Sequence, residues 1–537
     1  MFYFTLSLKS AIMIIESWDD MADSRTKKSI LNSMTSIITQ IILVVMNFVV
    51  KTIFIQQLGS VYLGVNGLFS NIITMLSLAD LGIGIAIPYS LYKPLAEKNH
   101  KKINILMNFY AKIYNTIGTI VLVFGLSLIP FLGFFIKGGT VVPNIELLYA
   151  LFVIHSASSY FFVYKRFLIE SDQKGYITTR ISFFFSVLLN IVQGIILIVF
   201  QNFIFYLVSA VVLVIAQNVY ISHKAMKLYP YLKNKTKEKM EPEDLEDIKK
   251  NISALFIYKI GSVITNGTDN LVISKFIGIV AVGVYSNYIM IVNSVNNIVI
   301  QLFNAITSSI GNLVVTTNER RSKAVYECLT FLNFWIYALC SILLCVLFNP
   351  FIEIWIGKDY LLSNMVVWLL SINFYLVGMG SVTNSFRNAY GLFWKGKYRP
   401  VAMIIINLVV SILLVKPLGI TGVLIGTIVS RLTTVVWMDP HIVYEYGFKR
   451  SSTRYFIKYV IFLLLFLVVN GICFYIVNLL PSGFLWLMVK GILTFLIVNI
   501  IYFGIFHDTG EFHYFYDKLI GFIARFRQKR KGIYDTI

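Results

Sequence analysis

The residues capable of chemistry are few, and they sit in unusual surroundings. Asp80 and Asp269 are carboxylates inside long apolar runs, and Lys51, Lys112, Lys259, Arg431 and Lys490 are cations in similar runs. A charge at membrane depth is expensive; it faces a bundle interior or wet cavity, pairs with an opposite charge, or marks an ion or substrate path. At about 1.5 Å per residue, Lys51, Lys259 and Arg431 lie roughly 10 Å inside the nearest end of their runs. They are the first candidates for holding an anionic substrate, followed by Lys112 and Lys490. Each also has a plainer reading, in which a long side chain snorkels to the interface. Asp80 and Asp269 suit either a proton or sodium site or structural pairing with Lys51 and Lys259, and both readings stand. Asn293 and Asn297, with Asn296 and Asn304, share roughly one face of a helix. Such amides bind sugar hydroxyls or neighbouring helices.

Enzyme chemistry finds little support. Gly391-Leu-Phe-Trp-Lys-Gly396-Lys397 opens like a phosphate-binding loop, but Tyr398 stands where a Mg²⁺-binding Ser or Thr belongs, and no strand precedes it. A membrane glycosyltransferase or polymerase is expected to carry acceptor chemistry on sizeable outer loops, whereas the outer loops here are mostly a few residues long. Four cysteines (Cys328, Cys340, Cys345, Cys473) lie in apolar runs without paired spacing and read as small core residues. No metal and no bound cofactor are expected.

The elements that position these residues are set by composition. Of 537 residues, 57% are apolar and only 13% charged, with a formal charge of +20. The apolar residues come in runs of about twenty, the length that crosses a hydrocarbon core. Helices are required, because an open strand leaves backbone groups unsatisfied in lipid. The fold class is an all-α polytopic membrane protein of about fourteen spans, near 31–57, 61–91, 104–136, 145–164, 177–200, 203–222, 252–277, 279–310, 325–349, 362–388, 400–416, 420–438, 455–479 and 485–506. Basic residues crowd alternate loops. Lys93, Lys98 and Lys101 lie on one side with Arg320, Arg321 and Arg450, while little beyond Lys137, Lys358 and Lys416 lies on the other. This positive-inside pattern accounts for the basic excess without nucleic acid, and it places both termini and the basic loops in the cytoplasm.

The domain plan follows. Residues 1–30 form a cytoplasmic N-terminal segment, of which 1–20 read either as an interfacial helix or as an upstream extension of a chain that starts at Met21 rather than Met1; the extension is preferred. Residues 31–222 form an N-lobe, 223–251 a solvated linker, 252–440 a C-lobe, 441–506 two further spans, and 507–537 a basic cytoplasmic tail. The lobes share a signature. Gly59-Ser-Val61-Tyr-Leu-Gly64-Val65 recurs as Gly278-Ile-Val280-Ala-Val-Gly283-Val284, and Gly419-Ile-Thr-Gly422-Val423 is related. Its placement at equivalent turns predicts two pseudo-symmetric six-helix lobes, repeated in parallel, with a site between them.

The stretches LGSVYLGVNGLFSNIITMLSLADLGIGIAIPYSLYKPLAEKNHKKINILMNFYAKIY (58–114), SDQKGYITTRISFFFSVLLNIVQG (171–194) and TDNLVISKFIGIVAVGVYSNYIMI (268–291) resemble bacterial polysaccharide-biosynthesis flippases. These carry lipid-linked O-antigen or capsule repeat units, and they belong to the multidrug/oligosaccharidyl-lipid/polysaccharide exporter superfamily. The resemblance covers nearly the whole chain after Met21, with Asp80 where that family commonly has Glu. It implies alternating access in the cytoplasmic membrane, a lipid-linked oligosaccharide cargo, contact with membrane lipids, and partnership with a polysaccharide polymerase and assembly proteins. It leaves the energy source open among a proton or sodium gradient, the membrane potential and product removal. The rival readings are a multidrug cation antiporter of the same superfamily and, further off, a membrane polymerase or glycosyltransferase. The basic lean of the intramembrane charge favours an anionic cargo.

Overall fold

The computed structural model describes residues 25–76, 83–136, 142–172, 174–233, 268–392, 394–396 and 398–516. No strand occurs among them. Eleven of the helices are long and apolar enough to cross a membrane, or twelve if a pair bent by 41° is one span. The chain is a multi-pass membrane protein.

The N-lobe comprises α1 (Arg25–Leu76), α2 (Ile83–Ala96), α3 (His100–Ser127), α4 (Ile145–Tyr160), α5 (Tyr164–Ser171), α6 (Gly175–Val199) and α7 (Phe203–Leu228). At 52 residues, α1 would extend about 78 Å if straight, more than twice a bilayer core. Gly59 resolves this: its φ of 79° and ψ of −176° break the helix, so α1 holds the first expected span and the start of the second. A side chain is rarely tolerated at that φ, which is why glycine stands at this turn. The fourth expected span is the bent pair α4–α5. Asn99 and Asn202 start α3 and α7 by accepting hydrogen bonds from the backbone of their first turns.

The C-lobe comprises α8 (268–276), α9 (Ile279–Thr316), α10 (Glu319–Ile356), α11 (Asn364–Ala389), α12 (Arg399–Leu418), α13 (Ile420–Thr433) and α14 (Val435–Ile442), with a π-helical turn at Val443–Gly447. The twelfth expected span, 420–438, is longer than its apolar run suggests and is broken at Thr434 (φ −128°, ψ −83°). The Thr434 hydroxyl donates to the Ser430 carbonyl at 2.5 Å. Two further helices, α15 (Thr453–Asn478) and α16 (Phe484–Phe506), pack on the C-lobe through aromatic side chains. Phe462 stacks on Phe334 at 4.2 Å, Phe466 stacks on Tyr375 at 4.3 Å, and the Trp335 indole donates to Asn499 at 2.9 Å.

The repeated signature marks corresponding turns. Gly278 (φ 138°) and Gly419 (φ 60°) precede helices as Gly59 does. These turns define one end of the molecule, and the basic loops define the other. At the glycine-turn end the lobes are joined, since Ile279, Ile356 and Tyr360 of the C-lobe pack into an N-lobe core around Phe54, Leu68 and Tyr149. A second core, around Met107, Tyr110 and Leu168 toward the basic end, contains residues of the N-terminal half alone among those described. Three polar or cationic contacts reinforce the joined end. The Trp355 indole donates to the Thr52 hydroxyl at 2.6 Å, the Ser274 hydroxyl donates to the Phe135 carbonyl at 2.7 Å, and the Lys275 ammonium lies 4.0 Å from the Phe134 ring centre.

Candidate functional site

The joined lobes enclose a cavity of about 940 Å³. Its walls come from α1 on the N-lobe side and from α8, α9, α11, α12, α13 and α14 on the C-lobe side. Among the described residues, four charged side chains line it: Lys51, Asp269, Arg399 and Arg431.

Depth follows from helix geometry. Lys51 precedes Gly59 by eight residues, about 12 Å of helix; Arg431 follows Gly419 by twelve, about 18 Å; and Arg399 precedes Gly419 by twenty, about 30 Å. The cations thus occur at three levels, from the closed end to the basic end. Arg399 and Arg431 share the hairpin α12–α13, which packs tightly because Gly426 leaves room only for Ser411 and Gly422 only for the Leu414 backbone.

Asp269 on α8 is bound into a polar chain. The Thr427 hydroxyl lies 3.0 and 3.1 Å from its two oxygens, Asn407 donates to Thr427 at 2.9 Å, and the Thr268 hydroxyl donates to Asn407 at 3.0 Å. The cation facing this carboxylate is Arg431. Among the described residues, then, the charge Asp269 meets is on α13, because the α12–α13 hairpin lies across α8, while Lys259, one of its expected partners, lies outside them. Its hydrogen-bond partners keep a buried carboxylate solvated by protein.

Beyond the cavity, toward the basic end, lies a cluster that sequence reasoning did not assemble. Asp439 on α14 accepts from Arg387 Nη1 at 2.6 Å through one oxygen and from Arg399 Nη1 through the other. Arg387 and Asp439 are each 2% exposed. The cluster ties the end of α11, the start of α12 and the far segment of the broken helix together. It also fixes the guanidinium of Arg399 at the cavity wall.

Of the sequence candidates, the structure brings Lys51, Arg431, Asp269, Asn293 and Asn297 to one cavity, joined by Asn296. Lys112 is placed elsewhere: its side chain is exposed on α3 and does not line the cavity. Tyr110 and Tyr114 of the same helix are buried in the N-lobe core. Lys490 also stands apart, buried on α16 with Glu353 of α10 as its facing charge. Lys259 and Asp80 lie outside the described residues, as does the side chain of Asn304. The sequence reading missed Arg399, and also Asn66, Asn71, Asn373 and Asn384, which line the cavity as well. A signal existed for the last two: Asn373, Val377, Gly380 and Asn384 follow one helical stripe.

Solved structures share this arrangement of helices. A multidrug resistance MATE family transporter of the MOP superfamily, in an inward-facing conformation, matches with a TM-score of 0.58 at 15% identity, over 76% of this chain and 98% of that one. The chain has the fold of the MOP transporters. The lipid II flippase MurJ, in an inward closed conformation, matches with a TM-score of 0.61 at 14% identity, over 88% and 99% of the two chains. A MOP superfamily transporter from Pyrococcus furiosus, described as having a binding pocket of reverse polarity, gives a TM-score of 0.55 at 14% identity over 79% and 97% of the two chains. No family model matches the sequence, and no curated protein matches it. The MOP fold accounts for the two lobes of six helices, with α15 and α16 packed outside them.

Proposed function

We propose that the chain is a flippase. It moves a polyprenyl-diphosphate-linked oligosaccharide repeat unit across the bacterial cytoplasmic membrane by alternating access, for cell-surface polysaccharide biosynthesis. The observation that carries this reading is the cavity between the lobes, where among the described lining residues three cations outnumber one carboxylate. A diphosphate diester is doubly anionic, and taking it through hydrocarbon without partners is prohibitive. In this reading the basic end, both termini and the tail are cytoplasmic, and the cavity faces the leaflet in which the cargo is made. Lys51, Arg431 and Arg399 hold the diphosphate, and Asn293 and Asn297 contact sugar. Asp269, in its cage of Thr427 and Asn407, is the group through which a proton or sodium gradient acts. A polymerase and assembly proteins receive the product on the far side.

The test is translocation by the purified protein in vesicles containing lipid-linked oligosaccharide, with exposure read by an impermeant sugar probe. Wild type is expected to expose the glycan. Lys51→Ala and Arg431→Ala, at matched thermal stability, are expected to lose at least about tenfold, the scale of one lost ion contact. Absence of exposure with every lipid-linked glycan, accompanied by export of a cationic dye, would replace this reading with that of a drug extruder.

A further inference from the structure

Resting on the flippase reading, we infer that Asp439 is a positioning residue for cargo transfer. Its carboxylate competes with the cargo diphosphate for Arg399, holding that guanidinium until the diphosphate arrives and taking it back as the cargo leaves. The shared arginine is the first reason. Asp439 accepts from Arg387 through one oxygen and from Arg399 through the other, and of these two arginines Arg399 is the one that lines the cavity. Carboxylate and phosphate are alternative partners for the same planar set of donors. When Arg399 turns to a phosphate, Asp439 keeps Arg387 at 2.6 Å, so the exchange strands no buried carboxylate.

The second reason is where Arg399 stands on the cargo path. Counted from Gly419 along the two arms of the α12–α13 hairpin, it lies eight residues further out than Arg431, about 12 Å nearer the basic end. A head group entering from that end meets Arg399 before Arg431. An arginine at the mouth that held the diphosphate without a rival would keep the cargo there, whereas one with a competing carboxylate passes it on.

The third reason is the jointed helix that carries the competitor. Val435 and Val436 line the cavity, and Asp439 follows them by four and three residues, on the same face of α14. A narrow gap lined by Gly380, Thr383, Val436 and Asp439 separates α11 from α14, and it shares Gly380 and Val436 with the cavity wall. The break at Thr434 divides this short segment from α13, which Thr427 ties to Asp269. Asp439 therefore sits beside the cargo path on a piece of helix that can yield while the Asp269 anchor stays in place.

The probe is a short-chain prenyl diphosphate bearing N-acetylglucosamine, offered to the full-length protein in lipid nanodiscs. Equilibrium affinity and the rate of release after dilution are both read. Asp439→Asn removes the competing charge and is expected to bind about tenfold more tightly and to release correspondingly more slowly, the scale of one hydrogen bond to a charged group. A merely structural Asp439 would give the opposite, weaker binding from a damaged wall. Because this variant leaves two arginines together, Arg387→Met with Asp439→Asn is measured beside it; that pair of changes removes one charge of each sign, and the same tight, slow binding is expected. Adding Arg399→Ala to either is expected to abolish the gain. Unchanged or weaker binding in both variants, or a gain that survives Arg399→Ala, would overturn the inference while leaving the flippase reading in place. A wild type that binds no prenyl diphosphate and exports a cationic dye would overturn both.

Discussion

Gly64 and Gly283 pack against each other across the lobes, each helix occupying the space where the other's side chain would stand. A Cβ on Gly64 would overlap the Ile279 carbonyl, and one on Gly283 would overlap the Ser60 carbonyl and crowd the Gly64 backbone. Ser60 and Ile279 hold equivalent places in the repeated signature, so the contact is reciprocal, as at a two-fold axis. Helices approach this closely only where side chains are absent.

Gly64→Ala and Gly283→Ala are therefore expected to lower thermal stability in detergent, each by about 1–3 kcal/mol, the usual cost of forcing atoms into a packed interface. Gly504→Ala on α16, where a Cβ would meet nothing, is the control and is expected to be neutral or slightly stabilising. Equal melting temperatures for all three would remove the reciprocal contact from the account of how the lobes are held.

The Trp355–Thr52 hydrogen bond closes the glycine-turn end beside Lys51. Trp355→Phe keeps most of the packing on Phe48 and Phe351 but loses the donor. At about 1 kcal/mol per hydrogen bond, the closed arrangement should lose roughly fivefold in population. Labelling of a cysteine introduced at Asn47 by an impermeant reagent, applied from the glycine-turn side, should quicken to match. Thr52→Val should do the same, and the double variant should add little, because both remove one bond.

Asp439→Ala leaves Arg387 and Arg399 facing each other in a dry site. Loss of one member of a buried ion group costs about 3–5 kcal/mol. A marked fall in melting temperature is expected, larger than that of Arg399→Ala, which retains the Arg387–Asp439 pair. A smaller fall for Asp439→Ala would contradict the assignment of the cluster as the tie between α11, α12 and α14.

Asp269→Asn keeps a hydrogen-bonding group against Thr427 while removing the charge. If the gradient acts here, translocation by the variant should become indifferent to an imposed proton or sodium gradient. Initial rates in vesicles with and without each gradient decide the matter, and an undiminished gradient response would return Asp269 to a structural role.

Much of this was readable before any coordinates. The span pattern, the related turns at Gly59, Gly278 and Gly419, and the convergence of Lys51, Asp269 and Arg431 all follow from apolar length and misplaced charge. The Arg387–Asp439–Arg399 cluster did not follow. Its members sit at span ends, where charges normally meet water, and Pro440 marks a helix end by ordinary reasoning. The helix nevertheless continues through that proline into a π turn, carrying Asp439 under cover. For Lys112 an apolar neighbourhood states that a residue lies in a span but not which way its side chain turns, and the exposed side chain on α3 fits the plainer of its two readings.

In the flippase reading, the two surplus positive charges among the described lining residues would also make the carrier an electrical device. Loaded with a diphosphate it would be nearly neutral, so its outward swing would hardly feel a voltage. Emptied, it would become a gating charge, and about 2.3 kcal/mol of work is available per elementary charge per 100 mV crossed. An interior-negative cell would draw the vacant cavity back toward the cytoplasm, so the field would reset the machine without having to push its cargo.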